Sequence, residues 1–245
     1  EKPAEVVSWL GAVQAQDYAA AKWALGLRLH NTTDKIIEQA FNDGAILRTH
    51  VMRPTWHFVS PADIRWLLAL TAPRLHARSA SRYRELELDA TTCTRCNTII
   101  TKALQGGKQL TRPELASALE QAGIVMNDPQ RIAYIMMHAE LDGIICSGAK
   151  RDKQLTYALL DERAPQARTL DRDEALAELT KRYFTSHGPA TLPDFVWWSG
   201  LTTADARAGV AMTSSDLAHE TIDGQTYWFS LATPTAMEPL ATSSI

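Results

Sequence analysis

The stretch QLTRPEL, residues 109–115, opens the segment that decides the fold. Thr111 is a typical helix N-cap, Pro113 suits the first helical turn, and Glu114 occupies the third position of a capping box. Apolar residues then recur at helical spacing until Gly123 ends the pattern. The stretch therefore predicts a short amphipathic helix with a sharply defined start.

A second helix and two strands are predicted directly after it. Apolar side chains recur at helical spacing from Pro129 to Asp142, and Gly143 follows. Residues 144–147 and 155–160 are strand-like and flank the polar turn 148–153, which contains three cations. A helix, a helix and a hairpin with a basic tip are typical of a winged helix-turn-helix.

The same order of predicted elements occurs twice more along the chain. Before it, a helix at 36–41 ends at Gly44, and strands 46–51 and 55–59 form a hairpin across the turn Met52-Arg53-Pro54. After Pro165, helices at 176–184 and 192–198, a helix opened by Thr202 and a strand at 227–229 repeat the order less completely. We therefore predict an α+β, predominantly helical fold of tandem winged helix-turn-helix units with short β-hairpin wings. The predicted divisions are a first unit at 1–60, an arginine-rich helical linker at 61–107, a second unit at 108–165 and a third at 166–245.

The composition is that of an ordinary soluble globular protein of 245 residues, with 45% hydrophobic and 22% charged residues. Its apolar runs are too short to span a bilayer, and nothing resembles a signal peptide, so no membrane association is expected. Three irregularly spaced cysteines favour a reducing cytoplasm over a disulfide framework. The absence of an initial Met suggests a portion of something longer.

The formal net charge of −3 conceals a local concentration of arginine. Only one acid, Asp63, lies between Arg48 and Arg84. The seven arginines of this span are Arg48, Arg53, Arg65, Arg74, Arg78, Arg82 and Arg84. Such a concentration is what contact with phosphates requires, and a solvated helix face is the alternative. If they line one side of a concave groove, DNA affinity should fall steeply with salt.

No metal or cofactor is expected from the recognisable motifs. Cys93 and Cys96 form a C-x-x-C, but no second ligand pair lies nearby, so they are interpreted as ordinary thiols. His50 and His57 lie on facing predicted strands without an adjacent carboxylate. There is no phosphate loop, dinucleotide fingerprint or serine nucleophile elbow.

Two glutamines, Gln14 and Gln16, follow an apolar segment where a core helix would favour leucine. On a helix running through residues 6–16, Gln14 shares a face with Val7 and Leu10, whereas Gln16 lies about 200° away. Either one amide alone is functional, or the helix ends near Ala15 and both project from its terminus. In the competing interpretation, Gln14 satisfies backbone groups inside a core.

The first hairpin is unusually cationic and aromatic for a wing that only packs. Strand alternation places Arg48 and His50 on one face of the first strand, and Trp56 with Phe58 on one face of the second. Such a hairpin can enter a nucleic-acid groove, stack on a base and contact phosphates. The alternative is a core Trp and Phe with solvent-facing cations.

Several separated motifs together resemble a known bacterial family, over nearly the whole chain to about Trp228. They are LGAVQAQDYAAAKWALGLR (10–28), AFNDGAILRTHVMRPTWHFVSPADIRWLLALTAPR (40–74), LTRPELASALEQAG (110–123), ELDGIICSG (140–148) and YFTSHGPATLPDFVWWSGL (183–201). The family is the winged-helix DNA-binding family that includes the AlkZ-type DNA glycosylases. The resemblance implies a concave DNA-binding surface and metal-free removal of N-alkylated purines, crosslinked ones included.

The resemblance also implies where the site lies. Gln14-Ala15-Gln16 matches the family's Gln-aliphatic-Gln signature, so Gln14 and Gln16 are the expected catalytic residues. The expected partner is double-stranded DNA containing alkylated purines, bound by a cytoplasmic, nucleoid-associated monomer. The family's C-terminal β-rich domain, with its acidic-aromatic motif, is expected to be missing because the chain ends at 239–245 with nothing like it. The residues expected to contact DNA are Arg48, His50, Arg53, Thr55, Trp56, His57, Arg65, Arg74 and Arg78.

Two other functions remain open from the residues alone: a non-catalytic winged-helix regulator and a protein-docking scaffold. A regulator should present a basic recognition helix to the major groove. The best candidate, 130–141, contains only Arg131 and His138 as basic residues, together with the acidic Glu140, which is too few basic groups for base recognition. A scaffold should lack the arginine concentration.

Overall fold

The computed structural model describes residues 2–231, so the predicted end of the third unit, 232–245, lies outside the described residues. The fold is α+β and mostly helical, as predicted. Each of its three small antiparallel sheets contains a hairpin whose second strand also pairs with a two-residue strand earlier in the chain. None of the helices in the described residues is both long and apolar enough to cross a membrane.

The first segment confirms the predicted hairpin, but the predicted N-terminal helix is shorter than expected. That helix ends at Leu10, because Gly11 takes a positive φ of 79° and turns the chain out of the helix. Residues after it are extended, and a helix at 18–26 follows that was not predicted. The elements of the first segment are α1 (Pro3–Leu10), β1 (Val13–Gln14), α2 (Tyr18–Gly26), α3 (Asp34–Asn42), β2 (Leu47–Val51) and β3 (Arg53–Val59).

The predicted three-residue turn of the first hairpin is shorter in the structure. Met52 alone, at φ 65°, reverses the chain, and Arg53 already belongs to the second strand. The strands pair in the register Arg48–Phe58, Thr49–His57 and His50–Trp56. The strand β1 adds to the other edge of β3, with Gln14 opposite His57.

The middle of the chain follows the prediction closely. Thr111 caps its helix by accepting from the Glu114 amide at 3.4 Å, and the Glu114 carboxylate accepts from the Thr111 amide at 2.7 Å. The predicted linker is two helices, and the second packs against both helices that follow it. The elements are α4 (Ile64–Glu85), α5 (Ala90–Leu104), β4 (Leu110–Thr111), α6 (Arg112–Gln121), α7 (Arg131–Leu141), β5 (Ile145–Ser147), β6 (Thr156–Leu159) and α8 (Leu160–Arg163).

The third segment repeats the order of the other two more completely than the sequence indicated. Thr191 and Thr202 cap their helices through capping boxes, and the start at Thr202 was predicted. The strand at 217–222 was not predicted, because its only buried residue is Leu217 and it shows no apolar alternation. The elements are α9 (Arg172–Ser186), β7 (Ala190–Thr191), α10 (Leu192–Ser199), α11 (Thr203–Met212), β8 (Leu217–Ile222) and β9 (Gln225–Ser230).

The hairpin β2–β3 lies where the three segments meet. A large core runs from its inner face at Val51 and Val59 into α4 and the helices of the later segments, while a smaller core containing Phe58 lies against α1–α3. At the hairpin tip, a Cβ added to Gly200 would lie 2.1 Å from the Met52 carbonyl oxygen. Only glycine therefore lets the end of α10 touch the tip, and its φ of 69° also favours glycine.

Candidate active site

The two glutamines project from the same side of an extended segment. Gln14 and Gln16 are exposed, whereas the intervening Ala15 is fully buried. The Ala15 amide donates to the Trp56 carbonyl at 2.7 Å, so the chain stays extended along β3 beyond β1. In extended backbone, alternate side chains share a face. The early end of α1 thus removes the 200° separation that a helix would impose.

Each amide is held by its carbonyl and leaves its NH₂ group free of protein acceptors in the described residues. The Gln14 Oε1 accepts from Arg53 Nη2 at 2.9 Å, and the Gln16 Oε1 accepts from the Trp56 amide at 3.4 Å. Neither side chain is inside a core. The interpretation of Gln14 as a buried amide satisfying backbone groups is therefore wrong.

Arg53 joins the glutamines to the third segment. Its guanidinium carbon lies 4.5 Å from the ring centroid of Trp197, a residue of α10 that is 70% exposed. Burial lowers the pKa of Arg53, but the group stays cationic. The exposed face beside Gln14 therefore combines an amide, a cation and an open aromatic ring. The sequence pointed to Arg53, but it gave Trp197 only as part of an apolar run.

The opposite face of the hairpin is a buried polar cluster around Trp56. The Arg48 guanidinium carbon lies 4.3 Å from the Trp56 ring centroid, and the His50 and Trp56 ring centroids are 4.2 Å apart. Alternation predicted that Arg48 and His50 share a face, and the structure confirms it. Arg48 also donates from Nε to the Ala15 carbonyl at 2.9 Å. The cluster thus fixes the backbone between the two glutamines.

Glu140 of α7 anchors this cluster, and sequence reasoning missed that role. Its carboxylate is 1% exposed, accepts from Trp56 Nε1 at 3.2 Å and contacts His50 Nδ1. Burying an acid is costly unless it is hydrogen-bonded to charged or polar partners, as it is here. The one sequence feature that could have predicted this role is the position of Glu140 among apolar residues of α7.

A cavity of about 400 Å³ opens beside the cluster, between the first and second segments. Arg48, Arg112 and Glu140 line one side of it, and Tyr157 accepts a hydrogen bond from Arg112 at 3.2 Å. Burial lowers the pKa of Arg48, and the nearby Glu140 carboxylate opposes this effect. Arg48 connects the cavity to the glutamine segment, because its Nη2 donates to the Gln16 carbonyl at 3.4 Å.

Two other predicted site residues share the glutamine face of the sheet, because His57 pairs with Gln14 and Thr55 lies two residues before it on β3. His57 is 2% exposed, and burial lowers its pKa to about 4, so it is neutral at pH 7. Its Nδ1 lies 3.0 Å from the Thr55 carbonyl. The Thr55 hydroxyl is buried without a hydrogen-bond partner in the described part of the chain. His57 is therefore a buried, neutral neighbour of Gln14 across the β1–β3 pair.

The comparisons with known proteins bear on this arrangement. A family model described as DNA glycosylase AlkZ-like matches residues 7–243. The chain belongs to the AlkZ-like DNA glycosylase family.

The relatives are longer than this AlkZ-like chain. It is 25% identical over 205 residues to an interstrand DNA cross-link repair glycosylase of Streptomyces sahachiroi, covering 81% of this chain and 55% of the relative. The solved structure of Streptomyces sahachiroi DNA glycosylase AlkZ superposes with a TM-score of 0.80 at 21% identity, covering 94% of this chain and 64% of that one. The chain therefore shares the AlkZ fold and spans a little over half the length of the curated relative.

The linker arginines of this AlkZ-like chain occupy different environments. Arg65 is ion-paired with Asp161, and Arg82 is paired with Glu85. Arg74 and Arg78 are exposed one helical turn apart on α4, without an ion-pair partner in the described residues. These two keep their charge available to a polyanion.

Proposed function

We propose that this chain carries the catalytic part of a monofunctional DNA glycosylase that hydrolyses the N-glycosidic bond of cationic N-alkylated purines, including crosslinked ones. The observation that carries the proposal is the pair of exposed amides, Gln14 and Gln16, on one side of an extended segment. Both have an unengaged NH₂ group, and both are held by contacts to the hairpin. Membership of the AlkZ-like family supports the reaction class.

Neutral amides suit a substrate that is already activated. An N7- or N3-alkylated purine carries a positive charge, so it leaves without a strong general acid. The C1′–N9 bond breaks, its electron pair neutralises the purine, and water oxygen adds to C1′ while a proton passes to solvent. A glutamine can accept from that water and donate to it, which positions it against the oxocarbenium-like sugar.

The surrounding residues divide into a DNA-contacting group and a supporting group. Arg53, Thr55 and the exposed Trp197 lie on the side of the hairpin that carries Gln14 and are proposed to contact the sugar-phosphate backbone and a base. The supporting group consists of Arg48, His50 and the half-buried Trp56, clustered around Glu140, and of the buried His57 beside Gln14. Every hairpin residue predicted from the sequence thus belongs to the proposed site, but the supporting residues position the glutamines and do not contact DNA themselves.

The wider architecture supports a double-stranded DNA partner. We propose that each segment is a winged-helix unit, since each has the order helix, short strand, two helices and hairpin, with the short strand on the second hairpin strand. Arg65, Arg74 and Arg78 are proposed to extend DNA contact along α4. The units are proposed to correspond to 1–60, 108–165 and 166–245 in a cytoplasmic, nucleoid-associated monomer, with the first helix of the second unit, α5, contributed by the linker 61–107.

The alternative of a non-catalytic regulator has less support. The helix that would read the major groove, α7, is engaged inside the protein: Arg131 donates to the Leu86 carbonyl, and Glu140 anchors the hairpin cluster. His138 contacts Asp142 on the same helix. These three side chains are therefore not available for base contacts.

The test is excision by the 245-residue chain from a duplex containing a single N7-methylguanine. We expect release of free base and one alkali-labile abasic site per lesion, with no excision from the undamaged duplex. Binding without excision would contradict the glycosylase and favour the regulator. The salt dependence of duplex binding, measured alongside, should be steep if the exposed arginines contact phosphates.

A further inference from the structure

A cluster of ligating side chains lies away from the glutamines, between α4 and α7. It consists of His76 on α4 and His138 and Asp142 at the end of α7. His138 and Asp142 are four residues apart, so they project from the same side of the helix. His76 comes from the other helix, and its ring centroid is 4.7 Å from that of His138.

The separations of the ligand atoms match those around a bound cation. His76 Nε2 lies 3.1 Å from Asp142 Oδ1, and His138 Nδ1 lies 3.1 Å from Asp142 Oδ2. Ligands at about 2.1 Å from a metal lie about 3.0 to 3.4 Å from their neighbours, so both separations are of the size found around a shared cation. All three ligand atoms lie within 4.8 Å of one another, and small side-chain rotations bring the two nitrogens to one centre.

One ring nitrogen is without a hydrogen bond. His138 Nδ1 is buried and makes no hydrogen bond in the described structure, although the carboxylate is 3.1 Å away. An N–H that donated to Asp142 would point along that contact. The buried Nδ1 and the carboxylate oxygen therefore lie side by side, at the separation of two ligands of a shared cation.

The surroundings supply the outer contacts and the space that a metal site needs. Asn97 Nδ2 donates to Asp142 Oδ2 at 2.7 Å, and the Tyr83 hydroxyl lies 3.3 Å from His76 Nδ1. Hydrogen bonds from outer groups to the ligand residues fix their orientation in metal sites. His76 and Asp142 also line a cavity of about 330 Å³, which leaves room for water to complete the coordination.

We propose that His76, His138 and Asp142 bind one divalent cation of the zinc, cobalt and nickel class, which ties α4 to α7. Two imidazoles and one carboxylate suit these metals, whereas Mg²⁺ and Ca²⁺ take oxygen ligands. The sequence gave no hint of the site because His76 is remote from the other two along the chain. The cation lies outside the glutamine site, so the inference does not depend on the proposed glycosylase.

Metal binding is tested with the full chain, freed of any affinity tag and stripped with a chelator. Co²⁺ is titrated with its visible absorption as the readout, and Zn²⁺ binding is measured by calorimetry. The variants are His76→Gln, His138→Gln and Asp142→Asn, with the exposed His30→Gln as the matched control. Melting temperatures are recorded with chelator and with Zn²⁺, which keeps a destabilised variant interpretable.

We expect one Co²⁺ per chain, a Zn²⁺-dependent rise in melting temperature, and affinity at least about tenfold weaker in each site variant. His30→Gln should bind like the unchanged protein. Absent Co²⁺ absorption, or affinity that is unchanged in the site variants, would overturn the proposal. So would variants that melt lower by the same amount with chelator and with Zn²⁺, because that pattern belongs to a simple ion-pair cluster.

Discussion

Replacing Glu140 by alanine should destabilise the fold severely, because the carboxylate anchors the hairpin from inside the protein. The group is 1% exposed and is contacted by Trp56 Nε1 at 3.2 Å and by His50 Nδ1. A hydrogen bond to a charged group contributes about 1.5–3 kcal/mol, and breaking a buried pair costs about 3–5 kcal/mol. Alanine has no helix penalty on α7. The expected loss in free energy of unfolding is therefore about 3–5 kcal/mol.

Urea denaturation at pH 7, followed by circular dichroism, measures this loss. For a chain of this size, about 3–5 kcal/mol corresponds to a melting temperature lower by roughly 6–20 °C. Glu120→Ala, on the exposed face of α6, is the control and should stay within about 0.5 kcal/mol. Glu140→Gln keeps an acceptor for Trp56 and should fall between the two. A loss below about 1 kcal/mol for Glu140→Ala would refute the anchoring role.

Three further outcomes follow from the geometry around the hairpin. Gly200→Ala should lower the free energy of unfolding by about 1–3 kcal/mol more than Gly107→Ala, because both positions have positive φ but only a methyl group at 200 would collide with the hairpin tip. Equal losses in urea denaturation would count against that contact. Because burial depresses the folded pKa of His57 to about 4, neutral His57 stabilises the fold fully above the unfolded pKa of about 6.5, and this stabilisation is lost as pH falls towards 4. The free energy of unfolding should therefore fall by ~2 kcal/mol more between pH 8 and pH 5 in the unchanged protein than in His57→Asn. Parallel pH profiles of the two proteins would contradict this. Trp197→Ala should change the melting temperature little, because the ring is 70% exposed, yet it should weaken duplex binding roughly tenfold or more as measured by fluorescence anisotropy. Trp23→Ala, at a similarly exposed tryptophan, should leave duplex binding unchanged. Equal duplex affinities of the two variants would show that Trp197 does not contact DNA.

Local signals explain what the sequence predicted correctly. The caps at Thr111 and Thr202 depend on residues three positions away, so a short stretch contains the whole signal. The hairpin β2–β3 was predicted from adjacent strands, although the one-residue turn at Met52 was not, because a positive φ at methionine has no signature in the sequence.

Long-range contacts explain what the sequence did not predict. The segment after Leu10 was expected to continue as a helix, but Gly11 and pairing with His57 make Gln14 extended. A two-residue strand has too little pattern to be distinguished from a helix end. Glu140 looked like a surface acid because its partners are remote in sequence. Sequence reasoning therefore found the two amides but not what holds them.

The most direct measurement is single-turnover excision of N7-methylguanine from a duplex by the unchanged protein, Gln14→Ala and Gln16→Ala. Both amides are exposed, so the melting temperature and the duplex affinity of the variants should be nearly unchanged. Each variant should release the base roughly tenfold to a thousandfold more slowly, the range for losing a positioning or charge-stabilising group. Excision at the unchanged rate by both variants, with enzyme in excess over DNA, would contradict the assignment of the catalytic site to the glutamine pair.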